Sequence, residues 1–151
     1  MRLRRDLLWI LTGVALTIGV WAGAAPLSFY ESFPLGRGWV AADGPYNEHL
    51  IRDFGGLNLA LALVTGVAAL RMRADLIRLA AGATTIFGLP HFVYHATHLE
   101  PYGTGDAIAN MVTLTLHVVV PLWLLARPMP PGHAAAGRGA PLGTAKGAGV
   151  P

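Results

Sequence analysis

The chain has 151 residues, of which 54% are hydrophobic and only 13% charged, with a net charge of +3 and no cysteine. Soluble domains carry roughly 25% charged residues, so the composition points to a membrane protein, and the missing cysteine excludes disulfides, thiol nucleophiles, Cys-ligated zinc and iron–sulfur clusters. The pI near 9.8 does not mark a nucleic-acid binder, because the basic residues sort by membrane side and form no continuous patch.

Four segments are long and apolar enough to cross a bilayer, which takes roughly 20 residues of helix. The first, about 7–25, is uncharged throughout. Met1–Asp6 before it is a basic n-region, and Ala22-Gly23-Ala24 resembles a signal-peptidase site. The apolar run exceeds the roughly 7–15 residues of a signal-peptide h-region, so the segment is read as an uncleaved helix. A long connection follows, too long to be a mere turn. It carries Phe29, Tyr30, Phe33, Trp39 and Tyr46, expected on the membrane surface or capping the bundle. Its end reads as a helix start, with Pro45 or Asn47 opening it and acids near the N-terminus suiting the dipole. That helix is expected to run unbroken into the second span, about 54–70. Arg71-Met72-Arg73-Ala74-Asp75 then forces an antiparallel hairpin into the third span, about 76–95. The fourth covers about 107–126. Residues 127–151 hold eleven Pro and Gly in 25 positions and read as a disordered tail.

Orientation follows from Lys and Arg. Arg2, Arg4, Arg5, Arg71, Arg73, Arg78, Arg127, Arg138 and Lys146 lie on one side, and only Arg37 and Arg52 on the other. The positive-inside rule puts both termini in the cytoplasm and the long loop outside.

The informative feature is Pro90-His91-Phe92-Val93-Tyr94-His95-Ala96-Thr97-His98. A helix would place the three histidines on one narrow face, and ionisable groups in a membrane are functional suspects by default. Thr84 and Gly88 extend that face. Asp106, Asn110, Thr113 and His117 make a second stripe, and His49–Asp53 and Glu48–Arg52 are i,i+4 pairs before the second span. If these converge, they line an outward-facing cavity of histidine and carboxylate.

Four roles suit such a face. Imidazoles ligate transition metals, with His91, His95 and His98 as ligands and Glu48, His49 or Asp53 completing them. Haem b can sit between two histidines, here His91 and His117. His, Asp and Glu chains also relay protons, or serve quinone chemistry. Polar stripes otherwise fix helix packing or a partner subunit through interhelical bonds. Gly19-Val20-Trp21-Ala22-Gly23, and the stripe Gly55, Asn58, Ala62 and Gly66, are read as close packing within the bundle rather than a dimer face.

The segment Gly44–Asp53, together with Pro90-His91-x-x-Tyr94-His95-x-x-His98, resembles small uncharacterised four-span bacterial membrane proteins. The layout is similar to DoxX-like four-helix families over roughly residues 5–126. The resemblance implies a bacterial cytoplasmic-membrane protein and a four-helix bundle; it carries no reaction and no site residues with it.

The resulting expectation is an all-α four-helix transmembrane bundle over residues 1–126, with one long external loop and a disordered cytoplasmic tail. No hydrolase triad, nucleotide loop or nucleic-acid face is legible. The leading function is a non-catalytic accessory or partner-binding membrane protein with an outward-facing His/carboxylate cavity. The alternative is a transition-metal or b-haem protein using the His91/His95/His98 face. Expected partners are the lipid bilayer and a second copy or a membrane subunit.

Overall fold

The computed structural model describes residues 1–128. The tail read as disordered therefore lies outside the described residues, apart from its first two positions. Six helices follow one another: α1 Arg2–Ala24, α2 Pro26–Ser32, α3 Trp39–Asp43, α4 Glu48–Arg71, α5 Ala74–Thr97 and α6 Thr104–Ala126. α1, α4, α5 and α6 are long and apolar enough to cross a membrane, which is compatible with a multi-pass membrane protein. Their outer faces agree, because Ile10, Leu63, Leu79, Ile86, Ile108 and Leu116 are all exposed. Water would not tolerate so much apolar surface, whereas lipid tails would.

Each helix is longer than its apolar core, since the polar ends continue the same hydrogen-bonded ladder. The start of α4 is locally specified. Asn47 caps it by accepting from the Leu50 amide at 3.1 Å, and Glu48 and Arg71 sit at the ends that suit the helix dipole. The α4–α5 turn is only Met72 and Arg73.

Two ends of the bundle differ in construction. At the hairpin end, Leu8, Leu11, Ala68, Ala69, Ile77, Ala80, Ala81 and Leu124 form one buried cluster. At the loop end, α1 and α4 approach backbone to backbone. A Cβ on Gly55 would lie 2.7 Å from the Gly23 nitrogen, and one on Gly19 would lie 2.9 Å from the Leu59 nitrogen. Only glycine permits that approach, so the GxxxG segment packs inside the bundle, as small-residue motifs do in lipid.

The long connection is a folded cap. Ala22, Phe29 and Ile51 are buried there, with Trp21, Tyr30, Phe33, Val40 and Phe54 packed against them. Trp21 meets Phe29 edge-on at 5.6 Å, and Tyr30 donates to the Gly44 carbonyl at 2.9 Å. Gly38 turns the chain into α3 with a left-handed φ of 65°, a conformation that costs glycine little.

Candidate functional site: a capped histidine column

The third helix of the sequence reading, α5, ends at Thr97, and this divides the histidine row. His98 is the residue after the helix, with φ −136°, so it leaves the face that His91 and His95 share. Its ring stacks on Tyr94 at 4.3 Å, its Nδ1 lies 2.8 Å from the Tyr94 carbonyl oxygen, and it is exposed. The expected i, i+4, i+7 face therefore holds two histidines.

His95 is the better placed of them, at 7% exposure. Its Nε2 lies 3.7 Å from Oδ2 of Asp43, the last residue of α3. Oδ1 of the same carboxylate accepts from the Tyr102 hydroxyl at 2.7 Å. Tyr102 also points at the Trp39 carbonyl at 3.3 Å, and its ring meets Trp39 edge-on at 6.3 Å. Beside it, Asp106 accepts from the Trp39 indole at 2.8 Å and pairs with Arg37. Arg37, Trp39 and Asp43 thus clasp the cap to the ends of α5 and α6. Of these five residues the sequence reading had Asp106 in the polar stripe of α6 and Trp39 among the cap aromatics; Arg37, Asp43 and Tyr102 were not legible as site residues, because no sequence spacing links a loop to a helix end.

The clasp changes the acid–base character of its outer members. Burial, and then the hydrogen bond to Asp43, push the Tyr102 phenol well above the usual tyrosine range. The Asp106 hydrogen bond raises the Arg37 guanidinium further above its already high value.

Below His95 the column continues. His91 meets His95 edge-on at 4.8 Å and stacks on Phe87 at 5.4 Å. His117 meets the same Phe87 edge-on at 5.9 Å, with its ring packed where Gly88 has no side chain. Among the described residues, His95 Nδ1, Asn110 Oδ1 and His117 Nε2 are buried without a hydrogen-bond partner. Buried polar atoms are seldom left so, and all three here belong to the facing helices α5 and α6.

The remaining sequence candidates stand elsewhere. His49 and Asp53 form a pair at 3.5 Å with side chains 86% and 65% exposed. Glu48 holds Arg52 at 2.8 Å, and Arg52 also donates to the Gly23 carbonyl at 2.5 Å. The set His91, His95, His98, His49, Asp53 and Glu48, read as one metal site, is therefore divided among three places. Among the described residues, no group of three or more His, Asp or Glu is placed to hold a metal. For the haem pair His91 and His117, the side chain in contact with both rings is Phe87. Thr113 is exposed and returns its hydroxyl to the Ala109 carbonyl, so the polar stripe of α6 narrows to Asp106, Asn110 and His117.

The arrangement can do two things chemically. The cap holds polar groups over an aromatic core, and the column beneath it holds imidazole nitrogens, His95 Nδ1 and His117 Nε2, that have no hydrogen-bond partner among the described residues. No protein family, curated protein or solved structure matches this chain.

Proposed function

We propose that this chain is a non-catalytic accessory protein of the bacterial cytoplasmic membrane. It has both termini inside and the cap outside, and the cap is the face it offers to a membrane partner. The observation that carries the reading is the construction of the cap. Joining α1 to α4 needs only a few residues, yet the connection forms two helices and an aromatic core, and clasps α5 and α6 through Asp43, Trp39 and Arg37. Built surface loops on a rigid scaffold are where recognition concentrates. The basic hairpin end supports the orientation through the positive-inside rule.

The absence of native cysteine makes the test clean. Leu35 in the cap is 95% exposed, and Asp75 at the hairpin is exposed too. In intact cells a membrane-impermeant maleimide is expected to label Leu35→Cys and to spare Asp75→Cys until the membrane is opened. On native gels of solubilised membranes, the chain is expected in a species larger than the purified protein, which a bulky label on Leu35→Cys dissociates. Labelling of the opposite residue refutes the orientation. A native species no larger than the purified protein, or one indifferent to the cap label, refutes the partner role.

A further inference from the structure

The three unpartnered atoms lie in an order that the partner reading does not use. At 1.5 Å per residue, His95 lies about 3 Å in from the loop end of α5, and His91 about 9 Å in. The Gly88 position lies against the ring and backbone of His117, which sets the register of the antiparallel pair, so Asn110 is level with His95 and His117 lies about 14 Å in from the loop end of α5. Polar atoms therefore descend step by step from the clasp to the bundle centre. Beyond His117 the buried hydroxyls of Thr84 and Thr65 are bonded to carbonyls of their own helices, and the hairpin half is filled by the aliphatic cluster around Leu8, Leu11, Ile77 and Leu124.

We infer that this column is a blind proton well. A file of water bonded to His95 Nδ1, Asn110 Oδ1 and His117 Nε2 brings protons from the loop end to His117 and no further. Each step moves one proton between a water and an imidazole nitrogen, and nothing else is made or broken. At the entrance the Asp43 carboxylate stands 3.7 Å from His95 Nε2 and faces the ring as it takes up and passes on the proton. Asp43 faces it from α3, Tyr102 and His98 from the α5–α6 connection, and His91 and Tyr94 from its own helix. His117 has His91 within electrostatic reach and Phe87 against its ring, and the same Phe87 stacks on His91. A carboxylate–histidine entrance with two further imidazoles below is the residue chemistry of proton paths in membranes, and bridging water is the usual partner of buried polar atoms left unpaired by protein.

The inference stands apart from the partner reading, and its test does not depend on finding a partner. Imidazole C2–H exchange in deuterium oxide requires both water and passage through the imidazolium, and mass spectrometry reads it residue by residue on the full chain in nanodiscs. His49, which is exposed, is the internal reference. His117 is expected to exchange within about tenfold of His49. Asn110→Leu is expected to slow His117 by about fivefold or more while leaving His49 unchanged; a merely loosened fold would speed His117 instead. Exchange at His117 more than about tenfold slower than at His49 overturns the inference in the native protein alone, whether or not the variant folds. An unchanged or faster His117 rate in folded Asn110→Leu overturns the water path.

Discussion

At the hairpin end the helices enclose an aliphatic cluster in which Leu8, Leu11, Ile77 and Leu124 interleave with Ala68, Ala69, Ala80 and Ala81. At the loop end the same helices either touch backbone to backbone, as at Gly55 against Gly23, or enclose histidine and asparagine beneath a cap. The difference reflects what lipid does to packing forces. Lipid tails are as apolar as leucine, so burying an aliphatic side chain between helices gains little transfer energy. Close fit, van der Waals contact and interhelical polar bonds remain. The hairpin end uses fit among large aliphatic side chains and alanines, while the loop end combines closest approach with polar bonds and encloses imidazoles.

The strongest way to break that contrast is at the glycine contact. Gly55→Leu has no room without separating α1 from α4, and it is expected to abolish the folded state. Gly55→Ala places its methyl 2.7 Å from the Gly23 nitrogen and is expected to destabilise by about 1–3 kcal/mol, the usual scale of overpacking. Gly56→Ala next door meets nothing within 4 Å. It is expected to be neutral, or to stabilise by up to about 1 kcal/mol through helix propensity. Unfolding in detergent, followed by circular dichroism, measures all three.

At the hairpin end the corresponding lesion is milder. Leu124 is fully buried, and Leu124→Ala leaves a cavity. Without most of the hydrophobic transfer energy, its expected effect is about 1–2 kcal/mol rather than the 2–5 of a soluble core. An effect as large as that of Gly55→Leu would show that the two ends are not built differently.

The clasp adds a pH dependence that belongs to the loop end alone. Tyr102 has its folded-state pKa raised, by burial first and by the Asp43 bond second. Its contribution to stability is then fully present below the unfolded value of about 10 and is lost as pH rises through the folded value. Thermal stability is expected to fall on the alkaline side of about pH 10. Tyr102→Phe is expected to remove that slope and, at neutral pH, to lose about 1 kcal/mol for the hydrogen bond. A slope equal in both proteins places the titration elsewhere.

The spans, the short hairpin read within Arg71–Asp75, and the start of α4, read at Pro45 or Asn47 and found at Asn47, were legible because each is a local property: hydropathy, chain length, a cap. So was the packing role of Gly19 and Gly23, since a small residue has only one use at a close crossing. The failure at His49 and Asp53 had a readable cause. At about 100° per residue, Asp53 lies some 160° from Gly55, so the small-residue stripe that turns α4 toward α1 also turns Asp53 outward. His98 failed because nothing local distinguishes the last residue of a helix from the first beyond it. Asp43 and Tyr102 were not legible at all. The bond between them closes a loop onto a helix connection 59 residues away, and only the packed tertiary structure selects that pair from among the acids and tyrosines of the loop end.

The smallest expected effect concerns a polar bond in the lower half of the α1–α4 contact. Thr12 donates to the Thr65 hydroxyl at 2.9 Å, and Thr65 is 1% exposed. Each threonine also approaches a carbonyl of its own helix, Leu8 for Thr12 and Leu61 for Thr65. Removing one partner therefore leaves the other satisfied locally. That local satisfaction, which the unfolded helix in lipid shares, is why interhelical hydroxyl bonds in membranes average only about 0.6 kcal/mol. Thr65→Val keeps the volume, and a double-mutant cycle with Thr12→Val is expected to give a coupling of about that size. A coupling above about 2 kcal/mol would mean that a hydroxyl pair, and not the glycine approach above it, sets the register of α1 on α4.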